Sequence, residues 1–229
     1  MKRIFWLLLG LVGCLGCAQA VPLKDSFQID ENSFVAKLPL KVGFYVDPAT
    51  WNFVDSVRPR GLVASTQAFK FPIGNSLSKM MVMAAGTAFD SVAPLEALPR
   101  EPGAADGYDV YMTITDLEVY LDIQYADRTP TIKVPIANMV TGSAAEGRCD
   151  LTLTVRIQDR NLNLLYDSIL MGSGKDKVKA LRLPGRGIDF AGAVNQAMQS
   201  LTEDFIQRLA QAHALREYAG SRVQTKGAA

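Results

Sequence analysis

A β-hairpin is predicted by residues 148–171, RCDLTLTVRIQDRNLNLLYDSILM. Apolar side chains recur at every second position of its first half, and polar side chains fill the positions between them. This period of two is typical of a strand with one buried face. The apolar positions are Cys149, Leu151, Leu153, Val155 and Ile157. Asp159-Arg160-Asn161 then predicts a turn, and residues 164–171 return as the antiparallel partner strand.

Two more strands are predicted upstream of this hairpin. Residues 40–46 alternate between apolar and polar side chains until Asp47-Pro48 ends the pattern. Residues 108–123 also alternate, but the apolar phase changes between Ile114 and Leu117. Because one extra residue exchanges the two faces of a strand, a β-bulge is predicted near Thr115-Asp116. Two strands joined by a tight bend would produce the same pattern.

Two helices are predicted, one before and one after the long strands. Apolar residues fall at helical spacing over residues 77–92, and Asn75 or Ser76 is placed to cap the first turn. The second helix is predicted from Phe190 to about Tyr218, with Asp189 as its cap and Gly220 as its end. Its inward stripe consists of Phe190, Val194, Ala197, Met198, Leu201, Phe205 and Leu209.

This order of elements predicts an α+β domain, because strands that follow one another directly tend to form one sheet that helices cover. We expect a single sheet of four to five strands, antiparallel or mixed, with two helices packed on one face. One domain is expected over residues 38–219. A tether over residues 14–37 is expected to precede it, and a flexible tail over residues 220–229 to follow it.

The first 17 residues, MKRIFWLLLGLVGCLGC, have the composition of an export signal. Lys2 and Arg3 precede an apolar run at residues 4–12, which is shorter than the stretch of about 20 residues that spans a bilayer. The segment Leu11-Val12-Gly13-Cys14 resembles the bacterial lipobox. The resemblance implies removal of residues 1–13, a diacylglycerol on Cys14 and, usually, acylation of its α-amino group.

Two alternatives to this anchor are open. Cys17 is a second candidate for lipidation, and a simple secretory signal cut after Ala18-Gln19-Ala20 would leave no anchor. In lipoproteins an Asp directly after the lipidated cysteine tends to retain the protein at the inner membrane. Leu15 or Ala18 stands at that position here, so the resemblance implies the periplasmic face of the outer membrane. Two or more acyl chains would give lasting attachment.

The half of the chain from Asp109 to Leu209 resembles the YajG-type envelope lipoproteins and, more loosely, small α/β lipoprotein domains of export machinery. The resemblance rests on the strand at residues 108–117, the strand pair at residues 150–155 and 164–174, and the helix at residues 189–205. It implies a non-catalytic accessory role, and the family brings no catalytic residues. The proline- and aromatic-rich insertion at residues 49–71 departs from the family pattern.

Composition and spacing disfavour several classes of function. The net charge is +1, and loss of Lys2 and Arg3 changes it to −1, so a nucleic-acid-binding surface is not expected. His213 is the only histidine and is expected to be solvated, far from any nucleophile. Carboxylates such as Asp150 and Asp159 are scattered, and no zinc or calcium ligand set is evident. We therefore predict no enzyme activity, no metal and no cofactor.

A basic loop that contains glycine is predicted over residues 175–187. Gly172-Ser173-Gly174-Lys175 superficially resembles a phosphate loop, but Asp176 stands where that motif needs Ser or Thr, so a strand-ending turn is the simpler interpretation. The cations of the loop are Lys175, Lys177, Lys179, Arg182 and Arg186. Beside the helix that starts near Asp189 they could hold an anion such as a lipid phosphate, contact a partner, or form a solvated connector.

Three further features have a structural and a functional interpretation. Cys149 is expected to be a small buried residue, and the alternative is a disulfide to Cys17 in an oxidising periplasm. The tyrosines of the central strands, Tyr111, Tyr120 and Tyr125, and the apolar run at residues 132–139 are expected to pack in the interior. If they are exposed, they would form a partner-binding patch or an edge that pairs with a second copy.

The leading functional hypothesis is a lipoprotein in the outer membrane that serves as a binding or assembly accessory in envelope biogenesis or export. Its expected partners are the membrane, through the lipid anchor, and an envelope protein or a second copy of the chain. A carrier for lipids or hydrophobic ligands is the alternative, suggested by the basic loop and by Met80, Met81 and Met83 on an apolar helix. A hydrolase that uses scattered carboxylates is the least favoured hypothesis.

Overall fold

The computed structural model of the chain describes residues 18–26, 37–60, 68–102, 107–125, 144–179 and 190–227. These residues form eight strands and four helices. The strands are β1 (Gln19–Ala20), β2 (Leu38–Val46), β3 (Asp55–Val57), β4 (Phe69–Phe71), β5 (Phe89–Pro94), β6 (Val110–Tyr125), β7 (Ala144–Asp159) and β8 (Leu164–Lys179). The helices are α1 (Pro48–Trp51), α2 (Ile73–Ala88), α3 (Ala191–Ala210) and α4 (His213–Gly227).

The larger sheet has five strands in the order β5-β2-β6-β7-β8. The hairpin β7–β8 and the pair β6–β7 are antiparallel, as predicted, whereas β2 runs parallel to both β5 and β6. The register between β6 and β7 shifts between Thr115 and Glu118, which confirms the predicted bulge within one continuous strand. Asp116 takes a positive φ of 54° there and is the extra residue that exchanges the two faces of β6.

A second, smaller sheet has the order β1-β4-β3, so the expectation of a single sheet is wrong. Gln19 and Ala20 of β1 pair in parallel with Phe69 and Lys70 of β4. Strands of two or three residues are too short to show a period, and β1 lies where the sequence predicts a tether. The fold is α+β overall, but with two sheets and four helices.

The predicted helices differ from the observed ones at their ends. The helix expected up to residue 92 ends at Ala88, and Phe89–Pro94 forms β5 beside β2. The spacing of apolar residues did not reveal the change from helix to strand, because Phe89 is buried in β5 and would also lie on the buried face of a longer helix. The helix expected from Phe190 to Tyr218 is two helices, which meet at Gln211-Ala212 without a glycine or proline to mark the break. Gly220 lies inside α4 and does not end it.

Helices α2 and α3 contact each other, and the residues that they bury join one core with the inner face of the larger sheet. The predicted inward stripe, which consists of Phe190 and six residues of α3, is confirmed, because all of these residues are buried. The opposite face of the hairpin exposes residues such as Ile169 and Met171. Within the described ranges, no helix is both long and apolar enough to cross a bilayer.

Candidate functional site

Gly172 and Gly174 lie under helix α3, in the middle of β8, so the expected strand-ending turn is wrong. A Cβ atom on Gly172 would overlap the carbonyl oxygen of Ala197 and lie 2.7 Å from Leu201 N. One on Gly174 would overlap the carbonyl oxygen of Ala193. The two glycines therefore let the helix backbone approach the strand closely, and this role explains them without a phosphate.

Side chains of helix α3 also accept hydrogen bonds from backbone N–H groups on the outer edge of β8. The N–H of Met171 donates to Asp204 Oδ2 at 3.1 Å, and the N–H of Lys175 donates to Gln196 Oε1 at 3.2 Å. A strand edge with unpaired N–H groups is a template for pairing with another chain. These two side chains occupy donors that a second copy would need, which disfavours self-association through this part of β8.

Part of the predicted basic loop belongs to β8. Lys175 and Lys177 are exposed on this strand, and Lys177 Nζ lies 3.9 Å from Glu146 Oε2. Asp176 lies against Gly192 in the first turn of α3, so a carboxylate stands where an anion at this helix end would bind. The side chains of Lys179, Arg182 and Arg186 lie outside the described residues, and the loop as an anion or partner site stays a prediction.

An open cleft of about 320 Å³ lies between β3 and the second half of β6. It exists because β2 pairs with β6 only as far as Ile114, and the next backbone contact on that edge is Arg60 N–H to Ile123 C=O at 2.9 Å. Because backbone groups of alternate residues face the same edge of a strand, Val119 and Leu121 direct theirs into the gap. The cleft is lined by Asp55, Ser56, Val57, Arg58, Arg60, Val119, Tyr120, Leu121 and Asp122.

The walls of this cleft are mainly polar. Arg60 Nε lies 3.8 Å from Asp122 Oδ1, and its side chain is 79% exposed. Asp55 accepts a hydrogen bond from the N–H of Ser56 at 2.7 Å, and Tyr120 is 57% exposed at the rim. Backbone donors and acceptors beside separated charges suit an extended peptide better than an apolar ligand. Sequence reasoning missed this site, because residues 55–60 fall in the insertion that has no periodic pattern.

The tyrosines of the central strands differ in burial. Tyr111 is fully buried, as expected, but Tyr120 is exposed. The side chain of Tyr125 and residues 132–139 lie outside the described residues. His213 is exposed, as predicted.

The carboxylates considered for a hydrolase are separated and have structural partners. Arg148 pairs with Asp150 at 2.8 Å, and Arg156 pairs with Asp167 at 3.4 Å. Asp159 accepts hydrogen bonds from the backbone of the β7–β8 turn. No group of three or more potential metal ligands occurs in the part of the chain that the structure describes.

The methionines that suggested a lipid carrier do not line the cleft. Met80 and Met81 are buried in the core of the domain, with 2% and 0% of their surface exposed. Met83 points away from that core and is 43% exposed. Their positions are explained by packing of α2, and they give the carrier hypothesis no support.

Cys149 is a free, fully buried thiol on β7, as the strand pattern predicted. Its pKa is raised to about 12, mainly by burial and to a smaller extent by the negative charges of Asp150 and Asp55. At pH 8 the native thiol is therefore protonated, whereas alkylating reagents react with the thiolate.

We expect Cys149 to resist iodoacetamide at pH 8 and to react about a hundredfold faster or more in denaturant, since unfolding restores an ordinary thiol pKa. Mass spectrometry of a protein in which Cys14 and Cys17 are replaced by serine would measure both rates. Comparable rates in the two states would contradict the buried, protonated thiol.

The two cysteines of the predicted anchor lie outside the described residues, but the structure begins close behind them. Strand β1 starts five residues after Cys14 and two after Cys17. Its pairing with β4 makes Gln19 and Ala20 part of the fold. Cleavage after Ala20, as in a simple secretory signal, would remove both residues of β1.

No known protein family and no curated protein matches this sequence. Among solved structures, a candidate lipoprotein from Caulobacter crescentus CB15 is similar at 10% identity, with 61% of this chain and 81% of that chain covered and a TM-score of 0.31. A candidate homologue of the neuraminyllactose-binding hemagglutinin from Helicobacter pylori is similar at 12% identity, with 89% and 100% covered and a TM-score of 0.45. Both TM-scores are below 0.5 and both identities are below 25%, so neither similarity carries an inference about the fold or function of this chain.

Proposed function

We propose that this protein is a lipoprotein of the outer membrane, anchored on the periplasmic face, that acts as a non-catalytic binding or assembly module in envelope biogenesis or export. The observation that supports this anchor most directly is the short distance in sequence between the predicted lipobox at Leu11–Cys14 and strand β1. An anchor at Cys14 or Cys17 leaves β1 intact, whereas a cut after Ala20 would leave the edge of β4 unpaired.

The cleft between β3 and β6 is the surface that we assign to binding. Val119 and Leu121 offer backbone donors and acceptors on one wall, and an extended segment of an envelope protein would pair with them as an added strand. The lining also holds Arg60, Asp55 and Asp122, so it would favour a polar segment whose side chains carry charges of both signs. Binding of this kind uses main-chain hydrogen bonds and requires no catalytic group.

Replacement of Cys14 by serine is expected to release the protein from the membrane fraction, because it removes the acceptor of the diacylglycerol. Mass spectrometry of the mature wild-type N-terminus should find a triacylated Cys14. The matched Cys17→Ser variant should keep both the lipid and the membrane location. Release by Cys17→Ser would assign the anchor to Cys17, and an unmodified N-terminus at Val21 would overturn the proposal.

The binding role predicts that a photo-cross-linking residue at Tyr120 captures an envelope protein in intact cells. Ile169 is a matched control position, since it is also 57% exposed but lies on β8, away from the cleft. The adduct should depend on the position of the probe and weaken when Arg60, which the cleft presents with 79% of its side chain exposed, is replaced by glutamine. Identical adducts from both positions, or none from either, would contradict binding at this cleft.

A further inference from the structure

The N-terminal segment is hydrogen-bonded to the rest of the domain from Gln19 onward. The N–H of Gln19 donates to Ala68 C=O, and the N–H of Val21 donates to Lys70 C=O, both at 2.9 Å. Val21 is buried, and the N–H of Lys24 donates to Asn195 Oδ1 at 3.0 Å. Residues 19–24 are therefore not available as a spacer between the lipid and the fold.

This arrangement limits the distance between the domain and the bilayer. Gln19 follows Cys14 by five positions, and a fully extended chain spans about 18 Å at most over that separation. If Cys17 carries the lipid, the limit falls to about 7 Å. Phe69 of the small sheet contacts Phe190, with ring centroids 5.6 Å apart, and Phe190 lies beside Gly147 of β7. From Gly147, β7 continues for twelve residues to its turn at Asp159, which corresponds to about 40 Å. The small sheet must remain near the membrane, whereas the β7–β8 turn can lie far from it.

The outer face of the small sheet is polar and carries positive charge. Ala20 and Ser56 both pair with Lys70 of the central strand, and all three side chains are exposed. Paired residues on neighbouring strands project from the same face of a sheet. Arg58 follows β3 two residues after Ser56 and is also exposed. Among the described residues, neither Lys70 nor Arg58 forms an ion pair with an acidic side chain.

We propose that the outer face of the small sheet, formed by Ala20, Lys70 and Ser56 together with Arg58, is the membrane-facing surface of the domain and contacts the phosphates of anionic phospholipids. The inference rests on the proposed lipid anchor and adds to it an orientation and a headgroup chemistry. Each cation close to an anionic bilayer favours the docked state by about fivefold. The short connection to the lipid keeps the two surfaces together, so a small number of cations is sufficient.

Fluorescence quenching of the lipidated, full-length protein in vesicles tests this orientation. An environment-sensitive probe is attached, in a protein that carries Cys17→Ser, at Ser56→Cys or, as the distal control, at the exposed turn position Asn161→Cys. The Cys17→Ser replacement removes the second thiol near the anchor, which would otherwise take up the label. Cys149 is buried and protonated, so it does not compete for the label. The quencher is a spin label on the lipid headgroup, and the vesicles contain phosphatidylcholine with or without phosphatidylglycerol.

We expect quenching at position 56 to be several-fold stronger than at position 161, and stronger when phosphatidylglycerol is present. The double variant Lys70→Gln with Arg58→Gln should abolish the increase that phosphatidylglycerol causes. The matched double variant Arg156→Gln with Arg216→Gln makes the same change in net charge on exposed residues away from the small sheet and should leave the increase intact.

Equal quenching at the two positions, or stronger quenching at position 161, would overturn the orientation. An increase that survives loss of Lys70 and Arg58 would overturn the assigned contact with anionic headgroups. The acyl groups are verified by mass spectrometry beforehand, so an unlipidated N-terminus refutes the proposed function, whereas a lipidated protein without preferential quenching refutes only this inference.

Discussion

Replacing Gly172 with alanine is expected to lower the free energy of unfolding by about 3 kcal/mol, at the upper end of the usual range for an overpacked core. The added methyl group would overlap the carbonyl oxygen of Ala197 and lie 2.6 Å from Leu201 Cβ. A backbone oxygen cannot rotate away as a flexible side chain can, so α3 must move off the sheet. The same reasoning holds for Gly174, where the obstacle is the carbonyl oxygen of Ala193. Denaturant unfolding monitored by circular dichroism would measure the change.

Gly86 is the matched control for this substitution. It lies inside α2, and a Cβ atom there would meet nothing within 4 Å. Gly86→Ala is therefore expected to stabilise the protein by about 0.5–1 kcal/mol, because alanine loses less conformational freedom in a helix. If Gly172→Ala and Gly174→Ala proved as well tolerated as Gly86→Ala, the close contact between α3 and β8 would be refuted.

Replacing Asp109 with asparagine is expected to cost about 2–3 kcal/mol and to loosen α4. The Asp109 carboxylate is only 2% exposed, and its Oδ1 accepts from Arg222 at 2.9 Å and from Arg160 at 3.4 Å. Removing one partner of a buried ion pair commonly costs about 3–5 kcal/mol. The side chains of Arg160 and Arg222 are 41% and 28% exposed and retain contact with water, so we expect a smaller loss of stability.

Hydrogen exchange distinguishes this effect from general destabilisation. Asp109 joins the start of β6 to α4, because Tyr218 also donates its hydroxyl to the carbonyl oxygen of Asp109 at 3.2 Å. Asp109→Asn should therefore accelerate exchange in α4 more than in β6 or β7. The control is Asp167→Asn, which removes an exposed pair with Arg156 and should change stability by no more than about 0.5 kcal/mol. Equal effects of the two variants would contradict the role of Asp109.

The candidate site was less predictable from the sequence than the fold. The resemblance to a lipobox can be recognised because that motif consists of four consecutive residues, here Leu11–Cys14. The cleft depends on where β2 stops pairing with β6 and on the position of residues 55–60, which are distant in sequence from Val119–Asp122. No local pattern reports such a gap, since each wall alone resembles an ordinary strand or loop.

The sequence by itself determined the long elements of this protein. The β7–β8 hairpin, the bulge at Asp116 and the buried stripe of α3 follow from the spacing of apolar residues, because that spacing records which side of an element avoids water. The tertiary structure decided the second sheet, the parallel strand β5, the break between α3 and α4, and the cleft. Short strands are stable only beside a partner, and β1, β3 and β4 acquire their structure from pairing with residues distant in the chain, not from a period of their own.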